Sequence, residues 1–176
     1  MGSVALHELY FGNLGGEGNP GLGRLDWHEV PNQIAPLLEE HFGSVKMWRR
    51  EFVGAAQALA GGSGWVLLAY SRRDKRFWNQ IAADHTQCAV DAAPVLVLDM
   101  YEHAYYLDFG ANAIAYIDTF FRNINLERGS VSRSPSDPKA GYGNALIRVA
   151  FAEQSRIAKR ESIRSRWLMG STMTQD

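Results

Sequence analysis

The sequence predicts an α+β domain in which helices flank a small three-stranded antiparallel sheet. Three short apolar runs lie between residues 65 and 99, and the first two are separated by a turn of only five residues. Patterns typical of amphipathic helices lie on both sides of these runs. Helices that cover a small antiparallel sheet bury its apolar faces, which is the α+β arrangement.

The composition is that of a folded domain rather than a disordered chain. The 176 residues are 46% hydrophobic and 21% charged, which is enough apolar material for one domain with its own core. The formal net charge of −1 gives no global reason to expect nucleic acid or a membrane surface as a partner. We expect no membrane-spanning helix and no signal segment. A single cysteine, Cys88, suggests a reducing, cytoplasmic compartment.

The first part of the chain is predicted to be helical with one long loop. Residues 4–14 carry apolar side chains at a spacing of four, which favours a helix. Residues 15–24 are rich in glycine and predict a loop. Residues 27–41 suggest a further helix, which we expect Pro36 to break because proline cannot donate a backbone hydrogen bond.

A clear helix is predicted from residue 45 to about 59, with Ser44 as its N-cap. A serine at this position can accept a hydrogen bond from a free amide of the first turn. The apolar stripe comprises Val45, Trp48, Phe52, Ala55 and Leu59. This face should pack against the sheet that follows.

Three strands follow the helix. Residues 65–70 and 77–81 are apolar or aromatic runs on either side of the turn at 71–75, which predicts a β-hairpin. Residues 94–99 form a third apolar run that ends in Asp99. The sheet therefore has a polar side chain at the end of its last strand.

Residues 112–124 return to a helical pattern, and the predicted buried face comprises Ile114, Ile117, Phe121 and Ile124. Beyond it we expect a Ser/Pro-rich linker over residues 127–143. Residues 144–176 form a basic tail that is predicted to be partly helical. Such a tail can bind an acidic partner or nucleic acid, or it can be a solvated extension.

Three residues are candidates for a metal site. Asp99 and His103 lie four residues apart directly after the third strand, and His7 lies on the first predicted helix. Two imidazoles and one carboxylate suit a redox iron or manganese ion. The spacing Asp-x-x-x-His is common, however. Taken alone, it leaves open that Asp99 caps a turn and that His103 is a hydrogen-bonded loop histidine.

Several short motifs surround these residues, namely 7–11 (HELYF), 41–44 (HFGS), 62–65 (GSGW), 99–106 (DMYEHAYY) and 111–125 (ANAIAYIDTFFRNIN). In order and spacing they resemble motifs of the iron/manganese superoxide dismutases. Residues 99–106 resemble that family's signature Asp-x-Trp-Glu-His-Ala-Tyr-Tyr. The likeness covers roughly residues 5–126.

The resemblance implies an enzyme that converts superoxide to oxygen and hydrogen peroxide with one iron or manganese ion per chain. By motif match, His7, Asp99 and His103 are three of the four protein ligands. His85 matches the residue that hydrogen-bonds to the metal-bound water, and Gln87 is the alternative because the intervening loop is short. Iron and manganese are not distinguished.

The resemblance also implies roles around the ligands. Trp65 matches an aromatic wall of the metal pocket, and Tyr106 matches a tyrosine that lines the substrate funnel. Glu102 matches the glutamate that accepts a hydrogen bond from a ligand histidine across a homodimer interface. Tyr101 stands where the family has a tryptophan.

The fourth ligand has no counterpart in this sequence. In the family it comes from an N-terminal helical hairpin, and neither His28 nor His41 matches its motif. We therefore expect residues 1–14 to be the end of that helical domain and residues 15–126 to be the C-terminal α/β domain. Two functions remain open: a truncated or divergent dismutase, and a dismutase-like structural or binding subunit of a larger assembly with weakened metal binding.

Overall fold

The computed structural model describes residues 2–14 and 34–124. The helices are α1 (Ser3–Asn13), α2 (Ala35–Phe42), α3 (Val45–Ala58), α4 (Tyr106–Phe109) and α5 (Ala113–Asn123), and the strands are β1 (Trp65–Ser71), β2 (Arg76–Ala82) and β3 (Ala92–Asp99). A short 3₁₀ turn spans Glu102–Ala104. The predicted α+β class is confirmed. The predicted loop at 15–24, the linker at 127–143 and the tail at 144–176 lie outside the described residues.

The three strands form one antiparallel sheet in the order β2-β1-β3. Every residue of the central strand β1 is buried. Trp65 pairs with Ala82 on one side and with Asp99 on the other, and we call this the Asp99 end of the sheet. At the opposite end, which we call the Ser71 end, Ser71 pairs with Arg76 and Ala92.

The predicted cap of α3 is confirmed. The amide of Met47 donates to Oγ of Ser44 over 3.1 Å, and the helix begins at the next residue after the serine. Trp48, Phe52 and Ala56 are buried along one face of α3. Phe52 contacts Phe121 of α5 edge-on, so the two helices share one aromatic core.

Helix α2 begins at Ala35 with Pro36 in its first turn, and Ile34 before it is not helical, so among the described residues no helix continues through Pro36 toward the N-terminus. A first-turn amide has no partner within the helix, and proline therefore fits there. One local prediction was wrong: Ile114 is 59% exposed, because it lies just past the edge of the arc of α5 that packs on the core, whereas Ile117, Phe121 and Ile124 of the predicted face are buried. The buried residues of α5 are Ala113, Tyr116, Ile117, Phe120 and Phe121.

Helix α1 packs along β3, the edge strand that carries Asp99. Leu6, Leu9 and Tyr10 form its buried face, which leaves His7 on the flank toward the Asp99 end. Just after α1, Leu14 forms an isolated antiparallel bridge with Ile124, which follows α5. Among residues 2–14 and 34–124, no helix combines the length and apolar character needed to cross a membrane.

Candidate metal centre

Three side chains from separate elements converge at the Asp99 end of the sheet. Nε2 of His7 lies 3.4 Å from Oδ2 of Asp99, and Nε2 of His103 lies 3.2 Å from the same oxygen. The two imidazole Nε2 atoms are 3.4 Å apart. The helix α1, the end of β3 and the following 3₁₀ turn each supply one donor atom, although His7 is more than ninety positions from the other two in sequence.

The proton position on His7 follows from its other ring nitrogen. Nδ1 of His7 lies 2.9 Å from the backbone carbonyl oxygen of Ser3, one turn earlier in α1. A carbonyl oxygen can only accept, so Nδ1 donates and the neutral ring keeps an unprotonated Nε2. A histidine whose second nitrogen is tied to a backbone carbonyl is the usual orientation of a metal-binding imidazole.

Asp99 is the buried member of the cluster, with a side chain only 1% exposed. Its Oδ1 accepts a hydrogen bond from the amide of Tyr101 over 2.9 Å, and its Oδ2 faces the two imidazoles. Burial raises the pKa of this carboxyl group, against the opposing effects of the Tyr101 amide, His103 and His7. A buried carboxylate next to nitrogen lone pairs is stabilised best by a positive charge.

The donor set fits a transition-metal ion. Nitrogen and oxygen ligands bind such ions at about 2.0–2.2 Å, which places neighbouring ligand atoms roughly 3.0–3.6 Å apart. The three separations in this cluster, 3.2 to 3.4 Å, fall in that range. His7 is 29% exposed and His103 58% exposed, so the cluster is open on the side of His103.

Trp65 forms the wall of the cluster, as its position in the motif suggested. Its ring meets His7 edge-on with a centroid distance of 4.9 Å, and the whole residue is buried. Its Nε1–H donates to Nδ1 of His85 over 3.0 Å. Because Nδ1 of His85 is thereby an acceptor, Nε2 of the neutral ring carries the proton.

His85, rather than Gln87, lies beside the cluster. The ring of His85 is 6.2 Å from that of His7 and stacks on Tyr101 at 5.1 Å, and Tyr101 in turn stacks on His103 at 5.5 Å. The side-chain oxygen of Gln87 instead accepts from the amide of Ala83 over 2.9 Å, which holds it in the local turn. The geometry therefore favours His85 of the two alternatives.

Glu102 and Tyr106 lie at the surface beside the cluster rather than inside it. Tyr106 is 58% exposed at the start of α4, and Glu102 is exposed next to His103. Within the described part of the chain, no hydrogen bond or ring contact joins either side chain to His7 or Asp99. His41 packs against Phe77 of β2, away from the cluster, and burial lowers its pKa; His28 lies outside the described residues.

A buried pair of tyrosines behind Asp99 was missed from the sequence. The hydroxyl of Tyr116 donates to the backbone carbonyl oxygen of Asp99 over 2.7 Å. Tyr10 then donates to the Tyr116 oxygen over 3.1 Å, since the proton of Tyr116 is already used. Burial raises the pKa of both phenols, so they stay protonated. Tyr116 lies on the buried face of α5, next to Ile117, but it was not among the residues predicted to form that face.

Comparison with known proteins gives this geometry a family context. The sequence model described as "Iron/manganese superoxide dismutases, C-terminal domain" matches residues 30–131. Asp99, His103, His85 and Glu102 fall inside that segment, whereas His7 precedes it.

Three superoxide dismutases are similar to this chain over a longer stretch than the family model covers. An iron superoxide dismutase of Cupriavidus metallidurans is 45% identical over 128 residues, which are 73% of this chain and 60% of that protein. An iron superoxide dismutase of Methanothermobacter thermautotrophicus is 33% identical over 126 residues, or 71% and 58% of the two chains. A manganese superoxide dismutase of Haloferax volcanii is 32% identical over 142 residues, or 80% and 61%. The chain spans about three fifths of the length of these relatives.

Proposed function

The chain belongs to the iron/manganese superoxide dismutase family, and from that premise we propose that it converts superoxide to oxygen and hydrogen peroxide. The observation that carries the proposal is the convergence of His7, Asp99 and His103 with separations of 3.2 to 3.4 Å. We propose that these three side chains bind one iron or manganese ion. The bound ion would supply the redox chemistry, taking an electron from one superoxide and giving it to a second.

The three side chains would divide the work of holding that ion. Asp99 contributes a negative charge from the buried end of β3, which offsets the charge of the cation. His7 is already oriented by its hydrogen bond to the Ser3 carbonyl, so little side-chain entropy is lost on binding. His103 is the most exposed of the three, so it lies at the side from which a small anion can approach.

His85 is the group that we propose holds a proton beside the site. Reduction of superoxide to hydrogen peroxide consumes two protons, and a hydrogen-bond donor near the ion is needed to deliver or orient them. The indole N–H of Trp65 fixes the acceptor role of Nδ1, which leaves the proton at Nε2. Gln87 remains the alternative donor, although its side chain is occupied in the turn.

We further propose that the protein is a homodimer in a reducing cytoplasm. Glu102 is exposed next to His103, where a carboxylate from a second copy can accept a hydrogen bond from that imidazole. Tyr106, exposed one turn later, would line the approach to the ion. Cys88 is the single cysteine of the sequence, so the chain has no internal disulfide, which is typical of a reducing compartment.

The proposal is tested by metal content and activity together. The 176-residue chain, reconstituted separately with Fe²⁺ and Mn²⁺, should hold close to one ion per chain by elemental analysis and should accelerate superoxide decay. His103→Ala should lose both properties. His41→Ala, which changes a histidine that packs on Phe77 away from the cluster, should keep both.

The two candidate functions give different results in this experiment. Metal bound without superoxide decay would favour the structural or binding subunit over the enzyme. A chain that binds neither ion more tightly than the His103→Ala variant would contradict the metal site itself. Sedimentation of Glu102→Ala against the unmodified chain tests the dimer separately.

A further inference from the structure

The outer edge of β3 is closed by side chains instead of by another strand. In the described part of the chain β3 is an edge strand, so there the backbone groups that point away from β1 have no ladder partner. Asn13 Nδ2 donates to the Val95 carbonyl oxygen over 3.1 Å, and the Val97 amide donates to Asn13 Oδ1 over 3.1 Å. One asparagine at the end of α1 thus satisfies two neighbouring groups, and Tyr116 satisfies the next at Asp99.

These two bonds connect the element that carries His7 to the element that carries Asp99. In residues 2–14 and 34–124, they are the only hydrogen bonds between α1 and β3 outside the candidate ligands. Leu6 and Leu9 make apolar contacts with the core, and Tyr10 donates to Tyr116, which donates to the Asp99 carbonyl oxygen, so this further link to β3 runs through α5. Apolar contacts have no direction and tolerate sliding, whereas a hydrogen bond weakens steeply with misalignment.

The distances along the two elements are short enough for Asn13 to act on the ligands. Asn13 lies six residues after His7 on α1, which is about 9 Å along a helix. Val97 lies two residues before Asp99, which is about 7 Å along a strand. A slip of α1 by one residue moves it about 1.5 Å along its axis. Such a slip would break both bonds of Asn13 and would separate the two ligand atoms, now 3.4 Å apart.

We propose that Asn13 is a positioning residue that sets the axial position of α1 on β3 and thereby the spacing of His7 and Asp99. This inference rests on the proposed function, because the spacing matters for the ion that the cluster is proposed to bind. Asn13 itself does not touch the cluster. Its effect reaches the site through the backbone of α1 on one side and of β3 on the other.

The chain offers a matched control in Asn79 on β2. Trp48 Nε1 donates to Asn79 Oδ1 over 3.1 Å, and Asn79 Nδ2 donates to Glu51 Oε1 over 3.0 Å. This asparagine therefore also makes two hydrogen bonds between a strand and a helix. Asn79→Ala and Asn13→Ala remove the same amide group and two hydrogen bonds each. Only Asn13 joins the two elements that carry His7 and Asp99.

The test compares these variants in the full chain, first without metal. In Asn13→Ala the Val97 amide should exchange its hydrogen faster, and the ring signals of His7 should shift in the NMR spectrum. Asn79→Ala should change neither. Titration with Mn²⁺ should then give a dissociation constant raised about tenfold for Asn13→Ala alone. Asn13→Asp, which keeps an acceptor for the Val97 amide but loses the donor to Val95, should lie between.

The results separate this inference from the proposed function. If the unmodified chain fails to bind Mn²⁺ or Fe²⁺, the proposed function is wrong, and the Val97 and His7 measurements still decide the role of Asn13. The inference is overturned if the His7 signals of Asn13→Ala match those of Asn79→Ala. It is also overturned if Asn13→Ala or Asn13→Asp binds Mn²⁺ as tightly as the unmodified chain does. Should Asn13→Ala not fold, Asn13→Asp carries the same comparison.

Discussion

Both ends of the sheet carry aspartates, but the groups that surround those aspartates differ. At the Ser71 end, the buried hydroxyl of Ser71 donates to Asp91 over 2.8 Å and lies 3.3 Å from an oxygen of Asp74. It also accepts from the amide of Asp74 over 2.9 Å. At the Asp99 end, the carboxylate of Asp99 faces Nε2 of His7 and Nε2 of His103. In the neutral ring of His7, Nε2 is the unprotonated nitrogen.

The difference lies in the balance of donors and acceptors. At the Ser71 end, Asp74 and Asp91 are exposed, so their carboxylates accept hydrogen bonds from solvent, and Asp91 also accepts one from Ser71. At the Asp99 end, imidazole nitrogens of His7 and His103 face a carboxylate that has little access to water, and Nε2 of His7 carries no proton in the neutral ring. A carboxylate at a strand end is therefore not a metal site by itself. The partners that the neighbouring elements bring to it decide whether it satisfies a turn or attracts a cation.

The largest effect should come from exchanging a carboxylate for an amide at each end. Asp99→Asn removes the negative charge between His7 and His103, so affinity for Fe²⁺ or Mn²⁺ should fall by roughly a hundredfold or more. Asp91→Asn at the Ser71 end should leave metal affinity unchanged. Titration of both variants with Mn²⁺ measures this contrast, and equal losses in the two variants would erase the distinction between the ends.

Trp65→Phe should sharpen the description of the Asp99 end. The smaller ring leaves a space in the core and removes the donor to His85 Nδ1, so the free energy of unfolding should fall by about 2–3 kcal/mol. Denaturant titration gives this value, and ¹⁵N NMR reports the tautomer of His85. Trp78→Phe, at a half-buried position on β2, is the control that should leave the His85 signals in place.

Ser71→Ala should lower the stability of the fold without changing the affinity of the proposed metal site. The hydroxyl is buried, donates to Asp91 and accepts from the amide of Asp74. Its loss should lower the free energy of unfolding by about 1–2 kcal/mol, because the Asp74 amide loses its acceptor. Unfolding and Mn²⁺ titrations should show a less stable chain with unchanged affinity. A weaker metal site in this variant would mean that the two ends are coupled through β1.

The smallest effect concerns an exposed turn at the Asp99 end. The hydroxyl and amide of Thr86 donate to Asp84, and they hold the pKa of that carboxyl below its usual range. A lowered folded-state pKa gives stability that is present above the unfolded pKa and is lost as pH falls through the folded value. Asp84→Asn should therefore be slightly less stable than the unmodified chain near pH 7, and the gap should narrow as the pH falls below the ordinary aspartate pKa of about 3.9. Denaturant midpoints across this range measure it.

The sequence predicted those features that depend on local pattern. Apolar runs identified the strands, Ser44 identified the start of α3, and motif spacing singled out His7, Asp99 and His103, which the structure brings together. Their function as ligands stays a prediction. Ile114 shows the limit: Ile117, Phe121 and Ile124 of the predicted face are buried, but the local pattern did not show that the buried face of α5 ends before Ile114.

The features that the sequence did not reveal depend on pairs of residues far apart in the chain. Asn13 is the last residue of α1 and Tyr116 lies within α5. Neither residue type predicts a contact with the edge of β3. Each contact exists only because the packed core brings that helix to β3. Local periodicity carries no information on such pairings. The same reason explains why His85 and Gln87 could not be separated before Trp65 was seen to donate to one of them.

The bridge between Leu14 and Ile124 joins segments that lie far apart along the chain. Closing so long a loop is entropically costly, and contacts of this kind are made late in folding. The sheet and α3, whose contacts are nearer in sequence, should form first, and α1 should dock last of the described elements. His7 would then reach Asp99 and His103 in the final step of folding. The complete three-residue cluster would form only as fast as α1 docks, and a cation already held by Asp99 and His103 would favour that docking.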